Sequence, residues 1–181
     1  MDVRGGAADL LNGTVEYNVA AWEPIFTHDV NGTHASIELK QPEHVRLGGN
    51  VRYRWDLQLN DGVLFDLTTN CGAGKARLDI GDLKLRSVDV HMGAGQVDVD
   101  LRGNPAHDYD VSVRGGVGQA TIRLPQNAGI WAEAHGGLGS ITVTGLNKNN
   151  GNQWQNDLYD KAKVNIRLTV EGGIGEIRII G

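Results

Sequence analysis

The fold of this chain is decided by the stretch Gly116-Val117-Gly118-Gln119-Ala120-Thr121-Ile122-Arg123-Leu124, because the sequence writes its pattern five times. Each copy has two glycines around one apolar residue, followed by a segment in which apolar and polar residues alternate. Strict alternation predicts a strand with one buried face. The other four copies are Gly72–Leu78, Gly93–Val99, Gly137–Val143 and Gly173–Ile179.

The alternation continues upstream of the glycines in the same phase. Each copy is therefore predicted to be a strand, a glycine corner and a second strand. Two glycines around one residue suggest a bend with positive φ, where a Cβ atom would clash. The apolar residue between the glycines is expected to lie beneath the bend, in the core; these residues are Ala73, Ala94, Val117, Leu138 and Ile174.

The spacing of the copies indicates stacked units. The second glycines are 21, 23, 21 and 36 residues apart, and a period in the twenties is typical of units too small to bury their own face. A β-solenoid and an antiparallel meander of hairpins both fit. In-phase columns of like residues favour the solenoid, because hairpins need only cross-strand complementarity, and the corners lack the Asn-Gly of tight hairpins. We predict an all-β fold, a single-stranded β-solenoid with rungs of about 21–23 residues.

The chain is long enough for a single domain with its own core, and we predict one, spanning residues 1–181. It is expected to contain irregular N-terminal rungs and a cap (1–62), regular rungs (63–145), a polar insertion (146–161) and a final rung (162–181).

The N-terminal part contains weaker echoes of the repeat. Arg4-Gly5-Gly6-Ala7 looks like the tail of a rung that lacks its first strand, and Ala35–Leu39 reads as a worn copy. Caps are needed where an unpaired end strand would invite association. Four residues are candidates for such a cap: Trp22, Pro24, Ile25 and Phe26.

Composition excludes several classes of protein. The net charge is −5 and no basic run appears, which argues against nucleic acid or an anionic membrane as partner. The single cysteine, Cys71, excludes an intrachain disulfide framework and a cysteine zinc site, and its inward phase predicts a buried structural thiol. No apolar run reaches the ~18 residues of a membrane span. Met1–Arg4 shows no signal peptide, so we expect either a cytosolic chain or one whose leader has been removed.

Segments from nearly the whole chain carry a resemblance to a known family: Leu10–Asn18, Trp55–Leu59, Gly72–Gly74, Gly93–Gly95, Gly116–Ala120, Gly137–Ser140, Tyr159 and Gly172–Gly175. Their pattern resembles the bacterial toast-rack domains, which are related to the C-terminal domain of LiaF-type cell-wall-active antibiotic response proteins. The resemblance implies a right-handed, stacked β-solenoid in an extracytoplasmic protein of the cell envelope, with an envelope or membrane-associated protein as partner. It implies no catalytic residue.

The polar insertion is the candidate site of recognition. It is rich in asparagine and carries two aromatic residues, and loops on a rigid scaffold often carry recognition. We predict an interaction loop that contains Asn152, Gln153, Trp154 and Tyr159.

Neither the glycines nor the histidines predict a cofactor or metal site. A phosphate-binding Gly-x-Gly needs a helix after it, whereas a strand follows here. Calcium-binding glycine repeats have a period less than half as long and need acids that are missing here. His91 and His135 share a repeat position and are expected roughly two rungs, ~10 Å, apart, too far to share a metal. No spacing motif supports a site at His28, His34 and His44.

The carboxylates leave an alternative open. Stacked acids on a solenoid face can cleave polysaccharides, but the same acids also fit a solvated face neutralised by neighbouring bases. We therefore predict a non-enzymatic envelope scaffold or an interaction module of adhesion type, with a carbohydrate-binding or polysaccharide-cleaving solenoid as the alternative. A third hypothesis is a spacer that associates with itself end to end or edge to edge. The acids are Asp79, Asp89, Asp98 and Asp100, and the bases are Lys75, Arg77 and Arg86.

Overall fold

A computed structural model describes residues 1–42 and 52–181, and its regular structure is β throughout apart from one 3-10 turn at Ala20–Trp22. The predicted all-β class is confirmed. The strands of the described residues are β1 (Asp2–Gly5), β2 (Leu11–Tyr17), β3 (Ile25–Asn31), β4 (His34–Lys40), β5 (Tyr53–Leu59), β6 (Leu64–Asp79), β7 (Lys84–Asp100), β8 (Tyr109–Arg123), β9 (Gly129–Thr144), β10 (Asn147–Lys148), β11 (Gln153–Gln155) and β12 (Asn165–Ile180).

The chain divides into two compact units. The larger consists of Met1–Asn12 and Leu57–Gly181, and the smaller of Gly13–Asp56. The divisions fall inside β2 and β5. The single-domain interpretation of the sequence stays a prediction.

The five copies of the repeat are the five long strands of the larger unit, β6, β7, β8, β9 and β12, each of 15–17 residues. They lie side by side, parallel and in register. The second glycines of the copies form one column across the sheet, in the order Gly74, Gly95, Gly118, Gly175 and Gly139. The in-phase columns of like residues predicted from the sequence are therefore present.

The order of the strands departs from the order of the chain. The sheet runs β10-β11-β9-β12-β8-β7-β6-β1, so the last copy lies between the third and the fourth instead of following the fourth. The cause is the polar insertion, because β11 already pairs with the outer edge of β9. The returning strand β12 pairs with the other edge of β9 and with β8.

The core follows the predicted inward phase. One column consists of Leu78, Val99, Ile122 and Ile179, each fully buried, and the neighbouring column holds Ala76, Val97 and Ile177, each at most 4% exposed. Burying one aliphatic side chain of this size stabilises a fold by about 1.5–3 kcal/mol. The same columns continue beyond the strand ends with Ile80, Leu101 and Leu124.

The glycine corners have the predicted backbone but not the predicted packing. The second glycine of every copy has φ between 125° and 146°. The residue between the glycines is exposed, however: Val117 is 53%, Ile174 52% and Leu138 72% exposed, and Ala73 and Ala94 are exposed as well. The expectation that these residues lie in the core was wrong. The inward residues Met92 and Val97 are five positions apart, so strand alternation breaks at the bend and cannot assign the residue in the middle.

The N-terminal echoes of the repeat differ from each other. β1 pairs in parallel with the second half of β6, Val3 opposite Leu78. The paired residues are Asp2–Arg4, so the half-rung at Arg4–Ala7 stays a prediction. In the smaller unit β3 and β4 form an antiparallel hairpin in a sheet of their own. The interpretation of Ala35–Leu39 as a worn copy was wrong, because the two-residue turn Gly32-Thr33 makes the two strands antiparallel.

The candidate cap residues have mixed surroundings within the smaller unit. Trp22 is 3% exposed and its ring centroid lies 5.5 Å from that of Tyr53. Ile25 and Phe26 are exposed.

Candidate interaction surface

Residues 146–161 fold onto the edge of the sheet instead of forming a free loop. β11 pairs antiparallel with the first half of β9, Trp154 lying opposite Ala132. β10 pairs antiparallel with β11 on its far side. The backbone carbonyl of Asn152 also accepts a hydrogen bond of 3.0 Å from the N–H of Ala134. The insertion thus supplies partners for backbone groups of β9 that would otherwise face solvent.

Two of the four predicted interaction residues contact β9 directly and are half-buried. Trp154 packs against the core, with the Nζ of Lys148 5.8 Å from its ring centroid. The Gln153 side-chain amide donates to Glu133 at 3.3 Å. Both side chains therefore help to hold β11 against β9, and only their remaining exposed surface is available to a partner.

The other two predicted residues lie at different places. Asn152 is exposed, and its amide nitrogen is 3.4 Å from Nδ1 of His135. Tyr159 is half-buried, and its hydroxyl accepts a long hydrogen bond of 3.5 Å from the Nε of Arg167 on β12. Asn152 to Trp154 thus line one edge, while Tyr159 lies beside Arg167.

Asn156 is a structural residue that the sequence analysis did not single out. Its side-chain oxygen accepts from the N–H of Ile130 at 2.9 Å, and its amide donates to the carbonyl of Ala128 at 2.8 Å. One half-buried side chain therefore ties the insertion to the start of β9. The sequence holds no signal for this role, because Asn156 is one asparagine among many in a polar segment.

A polar column and a floor of glycines form an open groove of about 730 Å³ on the outer face. Across the sheet this column runs His91, Arg114, Glu171 and His135. Arg114 and Glu171 form an ion pair of 3.4 Å. Because β12 is inserted, the two histidines are three strand spacings apart, roughly 14 Å, not two, and a shared metal is even less compatible with this geometry than the sequence suggested.

The three histidines considered together in the sequence analysis, His28, His34 and His44, belong to the N-terminal part of the sequence. The ring of His28 is 5.7 Å from that of Phe26, and Nδ1 of His34 is 3.4 Å from the Thr33 hydroxyl. His44 lies outside the described residues. Within 1–42 and 52–181, no group of three or more histidine, cysteine, aspartate or glutamate side chains is placed to hold a metal ion.

The acidic face is partly neutralised. Asp98 lies 3.7 Å from Lys75 and 3.9 Å from Arg123, and Asp100 forms an ion pair of 2.6 Å with Arg102. Hydrogen bonds from Arg102 lower the pKa of Asp100 below its ordinary value. A general acid in glycoside hydrolysis requires a raised pKa, so Asp100 is tuned in the opposite direction.

Cys71 is half-buried, less so than predicted, and its Sγ lies 3.8 Å from the carbonyl of Ala73. It stands opposite Met92 in the sheet. No helix among the described residues is both long and apolar enough to cross a membrane.

A mostly parallel sheet of in-register glycine-corner strands defines the class: an all-β repeat protein. Residues 1–123 match the family model described as the N-terminal domain of toast_rack. Residues 73–179 match the model for the C-terminal domain of LiaF, of the cell wall-active antibiotics response. The chain belongs to the toast-rack family with a LiaF-like C-terminal part, as the sequence resemblance predicted.

One solved structure matches nearly the whole chain. It is the crystal structure of a "putative cell adhesion protein" from Clostridium sporogenes ATCC 15579, with a TM-score of 0.95 and 29% sequence identity. The match covers 99% of this chain and 86% of the other. No curated protein matches the sequence significantly.

Proposed function

We propose that this chain is a non-enzymatic interaction module of the bacterial cell envelope, of adhesion type, with an envelope or membrane-associated protein as its partner. The observation that carries the proposal is the similarity over 99% of the chain to the structure of the "putative cell adhesion protein". The LiaF-like match supports an extracytoplasmic place at the envelope. The insertion offers an exposed tip on a rigid sheet, a common site of recognition.

The scaffold of this module is a β-solenoid in our proposal. A straight strand of 16 residues, the length of β6, would span about 53 Å. The chain from Asp79 to Lys84 can span only about 18 Å, yet β6 and β7 pair in parallel from end to end. Each strand must therefore fold back at its glycine corner, so that one rung is a closed coil. A right-handed coil is expected, since parallel crossovers are overwhelmingly right-handed.

The exposed part of the insertion is the proposed contact region. Asn149, Asn150 and Asn152 are exposed at the turn between β10 and β11, and Gly151 has a φ of 54° there. The partly exposed Gln153 and Trp154 adjoin this turn, whereas Tyr159 lies beside Arg167. Amide side chains beside an aromatic surface provide adaptable hydrogen bonding next to a rigid apolar contact.

A pull-down from envelope extracts tests the proposal. Deleting residues 147–157 would also remove β11 and expose β9, so the sharper variant replaces Asn149, Asn150 and Asn152 by alanine and keeps β11. The matched control is Asn70→Ala, an exposed asparagine on β6. Loss of a partner with the triple variant alone supports the loop. Equal recovery with all three proteins contradicts it.

The carbohydrate alternative rests on one observation, the in-register pairing of Asp79 with Asp100. Neighbouring strands are ~4.8 Å apart, and retaining glycosidases hold their two carboxyl groups ≈ 5–5.5 Å apart. Incubation with a polysaccharide panel, repeated with Asp79→Asn, Asp98→Asn and Asp100→Asn, decides between the two functions. No turnover, or turnover that none of these changes affects, removes the enzymatic alternative.

A further inference from the structure

The two halves of β9 end the stack in different ways. The first half is covered by β11, and its inward residues Ile130, Ala132 and Ala134 are fully buried. The second half pairs with β12 on one side, and no described residue pairs with its other side. Its inward residues Ile141 and Val143 are partly exposed, whereas Val99 and Ile179, which share the Val143 column, are fully buried. The second half therefore lacks the cover that the first half has.

The backbone of this half-strand directs hydrogen-bonding groups to the side on which no described residue pairs with it. Thr144 accepts a hydrogen bond of 2.9 Å from Gly181, so the backbone of Thr144 faces β12. Successive residues of a strand direct their N–H and C=O groups to alternate sides. The groups of Ile141 and Val143 therefore face away from β12, as on the edge of a sheet ready to accept another strand.

The sequence of this edge strand lacks the charged side chains that usually protect an exposed edge. Natural edge strands are commonly protected by charged side chains. Of the five copies, this one alone has no charge between its second glycine and the end of its strand: Ser140-Ile141-Thr142-Val143-Thr144. The corresponding segments of the other four copies each carry at least one charge; they are Lys75–Asp79, Gln96–Asp100, Gln119–Arg123 and Glu176–Ile180. The charge is missing where the stack ends.

We propose that residues 140–144 bind an extended peptide segment of a partner protein by strand addition, the segment pairing with Ile141 and Val143. The segment carries two β-branched or aliphatic side chains two positions apart, which extend the inward columns beyond Ile141 and Val143. Its alternate side chains are outward, beside Ser140, Thr142 and Thr144. Main-chain hydrogen bonds supply affinity and the alternate side chains supply specificity in this mode of recognition.

A single extended segment of a partner fits beside residues 140–144 better than a second copy of this chain does. β11 and β10 extend the first-half sheet two strands beyond β9, roughly 10 Å, while the second half stops at β9. In the closed coil that we propose for each rung, this difference leaves a recess one or two strands deep. Two copies that joined by these edges would bring their β10–β11 pairs into the same space. The inference refines the proposed interaction role, on which it rests, but uses a different surface from the exposed asparagine turn.

A probe peptide tests the edge directly. The peptide copies residues 176–181, Glu-Ile-Arg-Ile-Ile-Gly. In β12 this segment already pairs with β9, and its inward residues are Ile177 and Ile179. Added to the full chain, it is expected to slow hydrogen exchange of the Ile141 and Val143 amides by about tenfold or more. The same peptide methylated on its central backbone nitrogens should leave exchange unchanged, because it cannot complete the ladder.

Two variants separate binding from folding. Val143→Pro removes an N–H that faces away from β12, so it should abolish peptide binding. It should lower the melting temperature only by the loss of the partly buried Val143 side chain, and therefore less than a proline that breaks the ladder with β12. Thr142→Pro removes an N–H that faces β12 and should lower the melting temperature. If Val143→Pro fails to fold, the methylated peptide still decides the question.

The inference would be overturned by no protection at saturating peptide, by equal protection by the methylated peptide, or by protection of both amides in the peptide-free monomer. Protection that appears with rising protein concentration would make a second copy the occupant and would also contradict it. The pull-down with the asparagine variant tests a different surface, the turn between β10 and β11. A negative pull-down therefore counts against the proposed function, and a negative exchange experiment counts against peptide binding at residues 140–144.

Discussion

A β-carbon placed on Gly118 would overlap the carbonyl oxygen of Gly95, its partner in the adjoining strand. The same relationship repeats along the column, where Gly175 meets Gly118 and Gly139 meets Gly175. Gly118 also has a φ of 141°, a conformation that L side chains rarely adopt. Backbone conformation and the close approach of the neighbouring strand therefore require glycine independently.

Gly118→Val is expected to destabilise the protein by about 3 kcal/mol or more, because strain at positive φ adds to a clash with backbone that cannot move aside. The free energy of unfolding from urea titration checks this. An unchanged unfolding midpoint would contradict the assignment of the corner.

Gly115→Ala is the matched control in the same strand. The nearest heavy atom to a β-carbon at Gly115 is the Glu171 carbonyl oxygen, 4.0 Å away. The change should be neutral or stabilise by about 0.4–1 kcal/mol through the unfolded chain. A loss as large as that of Gly118→Val would mean that glycine is required for a reason other than the close approach of the strands.

Ala120→Val is expected to stabilise the protein by about 1 kcal/mol. Ala120 lines a small pocket of about 40 Å³ together with Val97 and Ile177, its larger neighbours in the same column. Added methyl groups should fill this space. Thermal unfolding checks the change, and Ala132→Val is the control, because Ala132 is fully buried and overpacking there should cost about 1–3 kcal/mol. A destabilised Ala120→Val would show that the space is not available.

Asn156→Ala is expected to destabilise the protein by about 2 kcal/mol, because it leaves the N–H of Ile130 and the carbonyl of Ala128 without their partner. Exchange of the Ile130 amide should accelerate as well. Asn150→Ala, at the exposed turn, should be neutral. Equal stability of the two variants would argue that the insertion is not anchored through Asn156.

Asp66 should contribute stability that depends on pH. The hydrogen bond from Arg86, supported by one from Ser87, lowers the pKa of Asp66 from 3.8 to about 2. A lowered pKa in the folded state stabilises above the unfolded pKa, and this contribution is lost as pH falls from about 4 to about 2. The stability difference between the wild type and Asp66→Asn should therefore shrink across that window. The effect is small, since both side chains are substantially exposed and solvent screens the pair.

Ser87→Ala provides the control for Asp66. Ser87 donates to the Asp66 carboxylate at 2.8 Å, so its removal should move the pKa of Asp66 part of the way back toward 3.8. Urea midpoints measured across the same window check both variants. A wild type and an Asp66→Asn variant that lose stability in parallel would contradict the role of Asp66.

Much of the scaffold could be predicted from the residues of each copy. Alternation placed Val99 and Ile122 in the core, because the side-chain period of a strand is local. The paired glycines predicted positive φ for the same reason. The exposure of the Val117 side chain could not be predicted, because alternation stops at the bend. Only the path of the chain through the bend decides whether this side chain faces the core or solvent.

The candidate surface was less predictable than the fold. Sequence composition identified residues 146–161 as a polar insertion and drew attention to Trp154. It could not reveal that β11 covers the first half of β9, because strand pairing depends on partners far away in the chain. The uncharged segment Ser140–Thr144 acquires its meaning only once β9 is known to end the stack.

The sequence by itself determined that five copies would be glycine-cornered strands with one dry face, because φ preferences and side-chain alternation act over a few residues. Only the tertiary structure decided that β12 lies between β8 and β9. That choice is a competition between distant segments for the two edges of one strand, and β11 takes the outer edge of β9, which leaves the inner edge to β12.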